Sequence, residues 1–172
     1  MCSLAPVFER RRPEFPVAEF PVGGFAVRHL GHLPCGRRPG GTEPAVDDGN
    51  EVLLAVPPDA AHLRAVRLVA ADAGGRAGLD ASEVDDLRIA VGELSQAVMD
   101  STDHRLVVRI VVHGQSVIVR ASARRHLNDP LPSLSAISEL MVDAVSDHYC
   151  LEHSESEMIF VVAKTAGRMT RQ

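Results

Sequence analysis

The pattern of apolar and polar positions changes several times between residues 51 and 166, and each change predicts an element. The apolar run at 51–56 predicts a short strand, because two prolines stop it before any helical period develops. Asp59 then predicts a helix N-cap. The helix that follows carries its apolar side chains on one face, and Gly74-Gly75 is predicted to end it. These apolar residues are Leu63, Val66, Val69, Ala70 and Ala73.

A second helix is predicted to begin at the "DASE" segment, with Asp80 or Ser82 as its N-cap. Its apolar residues fit the helical period and are Val84, Leu87, Val91, Leu94 and Val98. One carboxylate, Glu93, shares a face with Ala90 and Ala97. A carboxylate in such surroundings is costly unless it has a partner. The alternative is that Glu93 lies at the edge of the apolar stripe and reaches water.

The apolar period then changes from 3.6 to 2 over residues 104–123. Two β-branched runs flank Gly114-Gln115, which predicts a hairpin with a two-residue type II′ turn. Beyond a loop with two prolines, a third helix is predicted with its apolar residues on one face. These residues are Ile137, Leu140, Met141, Ala144 and Val145. Two strands, at 148–153 and 157–166, complete the pattern.

The predicted order of elements is β, α, α, β, β, α, β, β. Such an order predicts an α/β protein, a two-layer sandwich in which three helices cover one face of a mixed sheet. The hairpin strands are apolar on both of their sides. The second face of the sheet is therefore predicted to be partly covered, and a dimer partner is one explanation.

Composition divides the chain near residue 50. Residues 1–50 hold seven of the eleven prolines and seven of the thirteen glycines and follow neither apolar period, which predicts a disordered tail. The domain is predicted at 51–166, followed by a short C-terminal tail at 167–172. Six arginines balance six acids in residues 1–50, so the net charge of −5 arises from the rest of the chain. An acidic domain argues against a nucleic-acid partner, because phosphate contacts need a basic face.

Two other classes of function find no support in the sequence. No apolar run approaches 18 residues and no signal peptide opens the chain, so we expect a cytoplasmic protein that does not engage a membrane. His29, His32 and Cys35 have a metal-like spacing, but a fourth ligand and a scaffold are missing, so no metal site is predicted. The other histidines, such as His62 and His126, are predicted to be ordinary surface residues.

The segment "DLRIAVGELSQAV", at 86–98, carries a resemblance to a known family. Together with the order of the elements, it resembles the histidine-kinase-like (GHKL, Bergerat-fold) ATPases, and among them the RsbW/SpoIIAB-like anti-sigma factors, which are also serine-protein kinases. The resemblance covers about residues 51–166 and includes Asp143-Ala144-Val145 near the end of the third helix. It implies that Glu93 occupies the position of the catalytic base.

The sequence departs from the family at the nucleotide positions. The magnesium-binding asparagine is replaced by Ala97, and the neighbouring Gln96 points about 100° round the helix. Ala121 and Ala123 stand where the family has its adenine-binding aspartate and the following glycine. The lid glycines are missing from "NDPLPSLSAIS", in which Asp129 is the carboxylate considered as a replacement. No cofactor is therefore expected, and ATP and Mg²⁺ would bind only if the altered site retains affinity.

The resemblance implies a regulator of transcription. We expect an anti-sigma factor that sequesters an RNA-polymerase sigma factor and is released by a STAS-domain anti-anti-sigma factor, with its nucleotide binding lost or weak. The alternative is an active serine-protein kinase that phosphorylates this antagonist, with Glu93 as the base and Mg-ATP as the phosphate donor. A homodimer is a further assembly that the resemblance suggests.

Overall fold

A computed structural model describes residues 50–167, together with the backbone of residues 21–22 and 25–26. The two short segments form β1 (Pro21–Val22) and β2 (Phe25–Ala26), which pair antiparallel. Apart from these two strands and residue 50, the predicted tail at 1–50 lies outside the described residues, as do His29, His32, Cys35 and nearly all of the C-terminal tail.

The remaining elements follow the predicted order and confirm the α/β class with three helices. They are β3 (Glu51–Val56), α1 (Leu63–Ala77), α2 (Ala81–Met99), β4 (Leu106–His113), β5 (Ser116–Arg124), α3 (Ala136–Val145), β6 (His148–His153) and β7 (Glu157–Thr165). In this part of the chain, no helix combines the length and the apolar character needed to cross a membrane.

The large sheet has the strand order β3-β4-β5-β7-β6, and all of its neighbouring strands are antiparallel. The predicted mixed sheet is therefore wrong. The crossover through α3 does make β5 and β6 run in the same direction, but β7 lies between them. Phe160 on β7 pairs with Ala121 on one side and with Leu151 on the other. Since β7 is antiparallel to both neighbours, no parallel pair forms.

Both predicted side-chain caps are present, but Asp59 caps a 3-10 turn before α1, and α1 itself begins without a side-chain cap. The Asp59 carboxylate accepts a hydrogen bond of 2.9 Å from the N–H of Ala61, in a short 3-10 turn that leads into α1. Asp80, rather than Ser82, caps α2 and forms a capping box with Glu83. The Asp80 carboxylate accepts hydrogen bonds from the backbone N–H of Glu83 and from the Ser82 hydroxyl. These bonds, the first more than the second, hold the pKa of Asp80 below its ordinary value.

The end of α1 differs from the prediction. The helix continues through Gly74-Gly75 and ends at Gly78, which has a φ of 82°. The N–H of Leu79 donates to the Gly74 carbonyl at 3.0 Å and closes the last turn. Gly74 instead serves packing, because a Cβ there would lie 3.2 Å from side-chain atoms of both Leu79 and Val84.

The hairpin between β4 and β5 has the predicted two-residue turn. His113 pairs with Ser116, which leaves Gly114 and Gln115 in the turn. Gly114 has a φ of 58°, a conformation that glycine adopts without steric cost. The turn fixes the register of the whole hairpin and therefore decides which residues meet at its open end.

The main core lies between the helices and the sheet, and the predicted stripes of α1 and α2 face it. Val69 and Val84 are partly buried, and the other members of the two stripes are buried: Leu63, Val66, Ala70, Ala73, Leu87, Val91, Leu94 and Val98. The helical period of these two segments was therefore a correct guide to their buried faces.

The predicted apolar face of α3, in contrast, points largely outward. Ile137 and Leu140 are each 70% exposed and Met141 is 37% exposed. Val142 is the buried residue of this helix, with Val145 partly buried. The reason is that α3 packs beside α2 and β6 at one side of the domain, so it buries only a narrow side.

A second, smaller apolar cluster lies on the sheet face opposite the helices. It is formed by Ile118, Ile159, Val161 and Ala163. Leu53 and Val107, on the same face, are 63% and 40% exposed. The predicted apolar second face is thus present, and a homodimer that covers it stays an expectation.

Candidate functional site

Glu93 lies on the same side of α2 as Asp86, whose partner Lys164 also bonds to α3. Asp86 precedes it by seven residues, about two helical turns, and so shares this side. The Lys164 ammonium on β7 donates to the Asp86 carboxylate at 2.9 Å and to the Val145 carbonyl of α3 at 2.8 Å. Glu93 is a half-buried residue, and its carboxylate has no hydrogen-bond or ion-pair partner among the described residues. It is therefore a carboxylate at the edge of the core that is free to meet a ligand or water.

The glycine before Glu93 lies against a side chain of α1. A Cβ at Gly92 would overlap the guanidinium group of Arg67 on α1. Gly92 thus lets the Arg67 side chain lie directly against α2. Since the guanidinium is the movable end of a flexible side chain, this contact alone does not require a glycine at position 92.

Ala97, at the position of the family's magnesium ligand, is buried in α2. Ala97 is 8% exposed, and its carbonyl accepts a hydrogen bond of 2.9 Å from the Ser101 hydroxyl. The neighbouring Gln96 amide donates to the Asp100 carboxylate at the end of the same helix. The Ala97 side chain has no oxygen to offer a metal, and the Gln96 amide nitrogen is held by Asp100.

The two positions of the family's adenine contact lie in the core. Ala121 is fully buried and Ala123 is 3% exposed, and both face the helices from β5. They belong to the same apolar cluster as Ala97. Three of the predicted nucleotide positions thus lie in the main core as alanines, whose side chains carry no polar group.

Asp129 is used locally, in the loop between β5 and α3. Its carboxylate accepts a hydrogen bond of 2.7 Å from the N–H of His126. The Arg125 guanidinium donates to the Asp129 carbonyl at 3.1 Å. At the start of α3, the Ser135 hydroxyl accepts from the Ser138 N–H at 3.0 Å, as an N-cap does. Neighbouring backbone and side-chain groups therefore occupy Asp129 and Ser135, and no hydrogen bond joins Asp129 to Glu93 within residues 50–167.

Sequence reasoning missed one cluster of potential ligands. His126 is exposed as predicted, but its Nε2 lies 2.8 Å from Nε2 of His104, and Oδ1 of Asp103 lies 3.7 Å from the same atom of His104. The predicted β4–β5 hairpin could have indicated that these two histidines are close. In the register set by its two-residue turn, residue 104 falls opposite residue 125, next to His126.

The fold and site define a two-layer α/β domain with a five-stranded antiparallel sheet, three helices and a half-buried glutamate on the central helix. No protein-family model matches this sequence, and no curated protein matches it at a significant level of similarity. The relationship to the anti-sigma factors therefore stays a prediction, based on the residues of α2 and the order of the elements.

Proposed function

We propose that this domain is an anti-sigma regulatory factor without kinase activity. It binds and sequesters an RNA-polymerase sigma factor, and a STAS-domain anti-anti-sigma factor releases it. The observation that carries this proposal is the outward apolar face of α3, formed by Ile137, Leu140 and Met141. We call these three residues the α3 face.

The α3 face has the composition of a protein-binding surface. Large apolar side chains that cluster on a surface mark interaction sites more often than isolated ones do. Leu127 and Leu131, in the loop before the helix, are a further 73% and 51% exposed. The helix also contains two acids, Glu139 and Asp143, and no basic residue. A partner that combines apolar and basic side chains, as the helices of a sigma factor do, is complementary to this surface.

The packing at the nucleotide positions supports a domain that acts by binding alone. Ala97, Ala121 and Ala123 supply no oxygen ligand for Mg²⁺ and no acceptor for the adenine amino group. Loss of the kinase reaction would leave the surfaces of the fold intact, and a sequestering protein needs only these. The second candidate, an active serine-protein kinase, rests on the unpartnered carboxylate of Glu93 and requires Mg-ATP.

We expect this protein to bind Mg-ATP with a dissociation constant in the millimolar range or weaker. Each missing contact costs on the order of 1 to 3 kcal/mol, so three losses move an affinity of about 1 μM by several kcal/mol. Sigma capture should then be equal with ATP, with ADP and without nucleotide, because no bound nucleotide biases the interface. Calorimetric titration and pull-downs against the host's sigma factors measure both. Micromolar ATP binding, or capture that requires ATP, would favour the kinase instead.

Leu140→Asp is expected to weaken sigma capture by at least about 30-fold, as the loss of a central apolar contact of an interface does. Leu53→Asp is the matched control, because Leu53 is similarly exposed but lies on the opposite face of the sheet. Both variants should unfold at the wild-type urea concentration. Equal capture by the two variants would show that the α3 face does not bind the sigma factor.

A further inference from the structure

Two loops meet at the open end of the β4–β5 hairpin and bring two histidines and an aspartate together. One loop joins α2 to β4 and carries Asp103 and His104, and the other follows β5 and carries His126. The potential ligand atoms of the three side chains all lie within 4.8 Å of one another. The two imidazole nitrogens closest to each other are both Nε2, at 2.8 Å.

Neighbouring side chains fix the backbone of both loops. The Thr102 hydroxyl accepts a hydrogen bond from the His104 N–H at 3.0 Å and donates to the Arg124 carbonyl at 2.8 Å. On the other side, the Asp129 carboxylate accepts from the His126 N–H at 2.7 Å. The backbone of each histidine is therefore fixed by a hydrogen bond to its N–H. This places the two imidazole rings next to each other.

We propose that Asp103, His104 and His126 form a binding site for a divalent transition-metal cation such as Zn²⁺. Two imidazoles and one carboxylate are a preferred ligand set for Zn²⁺, and three protein ligands leave a position open for water or a further ligand. Each Nε2 presents its lone pair to the cation, so the proton that now joins the two rings moves to Nδ1 or to solvent.

The distances require only small movements of the side chains. Ligand atoms at about 2.0 to 2.1 Å from a tetrahedral zinc ion are about 3.3 Å apart. The two Nε2 atoms must therefore separate by about half an ångström, and the Asp103 carboxylate must move closer. The Asp103 side chain is 82% exposed and that of His104 is 34% exposed, so neither movement disturbs the core.

The site adjoins an open pocket of about 550 Å³, which Asp103 and His104 help to line. Glu157 supplies a second carboxylate to this pocket, and Arg105 and Arg124 supply two guanidinium groups. These charges balance, so a cation does not enter positively charged surroundings.

The test is calorimetric titration of the full-length, EDTA-treated protein with ZnCl₂. The chain also contains His29, His32 and Cys35, so the titrations use a background variant with His29→Ala, His32→Ala and Cys35→Ser. We expect this background to bind one Zn²⁺ per chain. Further replacement of His104 or His126 by alanine should weaken binding by at least about 100-fold, because even outer-shell changes cost 10- to 100-fold.

His62→Ala is the matched control, since this histidine lies outside the cluster. Its affinity for Zn²⁺ should equal that of the background, and circular dichroism checks that each variant is folded. Co²⁺ bound in place of Zn²⁺ should give visible absorption bands that disappear in His104→Ala. The proposal is overturned if the background does not bind Zn²⁺, or if the His62 and His104 variants bind it equally.

Discussion

Leu94→Asp is expected to unfold the domain. Leu94 is fully buried on the side of α2 that faces the sheet, in the middle of the main core. Loss of the leucine side chain alone costs about 2 to 5 kcal/mol. A carboxylate without a partner adds a desolvation cost of several kcal/mol. Together these costs are comparable to the whole stability of a typical domain, about 5 to 15 kcal/mol. Circular dichroism during a urea titration measures the result.

Two substitutions in the same helix serve as controls. Ile89→Asp introduces the same group where the side chain is 41% exposed, and we expect a loss of about 1 kcal/mol or less. Glu93→Ala should leave stability nearly unchanged or raise it, because the Glu93 carboxylate has no partner among the described residues to lose. A cooperative transition of wild-type stability in Leu94→Asp would contradict the position of α2 over the sheet. Strong destabilisation by Glu93→Ala would show that Glu93 holds a structural contact.

Asp86→Ala is expected to destabilise the domain by about 3 kcal/mol. The Lys164 side chain is 12% exposed and forms an ion pair of 2.9 Å with Asp86. Removing one member of a largely buried pair leaves an uncompensated charge, which costs about 3 to 5 kcal/mol when the pair is fully buried. The Asp86 side chain is 35% exposed, so we expect the lower end of this range. The free energy of unfolding in urea is the measurement.

Asp85→Ala is the matched control for this prediction. It removes the neighbouring carboxylate, whose ion pair with Arg88 is exposed on both sides and contributes about 0 to 1 kcal/mol. Adding Lys164→Met to Asp86→Ala should recover most of the lost stability, since it replaces the unpaired charge by an apolar side chain of similar length. If Asp85→Ala and Asp86→Ala had the same free energy of unfolding, the ion pair between Lys164 and Asp86 would not contribute to stability.

Local sequence was sufficient where neighbouring residues decide the structure. A strand, a helix cap or a two-residue turn depends on side chains a few positions apart. For this reason Asp80 and Gly114 were predicted in the roles that the structure shows. Asp59 was also predicted as a cap, although it caps the 3-10 turn before α1. The apolar stripes of α1 and α2 were also predicted, because both helices pack across the sheet and each buries a broad face.

Tertiary packing decided the features that depend on which element neighbours which. The period of α3 correctly predicted a helix, but a peripheral helix buries only a narrow side, and sequence alone did not show which side that is. The direction of the strands in the sheet also depends on which strands are neighbours. The sheet is antiparallel only because β7 lies between β5 and β6. Gly74 was wrongly predicted to end α1. It instead makes room for Leu79 and Val84, and these contacts lie outside the period of α1, so the sequence pattern did not show them.

The candidate sites show the same division. Glu93 was found from sequence because a carboxylate among apolar residues of one helix is visible in the spacing of that helix. The pairs Asp86 with Lys164 and His104 with His126 were not found, since their members are 78 and 22 residues apart and meet only through the folded chain. The sequence by itself determined the elements, their order and the unusual glutamate, all of which arise from interactions over one or two turns. Only the tertiary structure decided which side chains meet across elements, because those contacts follow from strand register and helix packing rather than from local spacing.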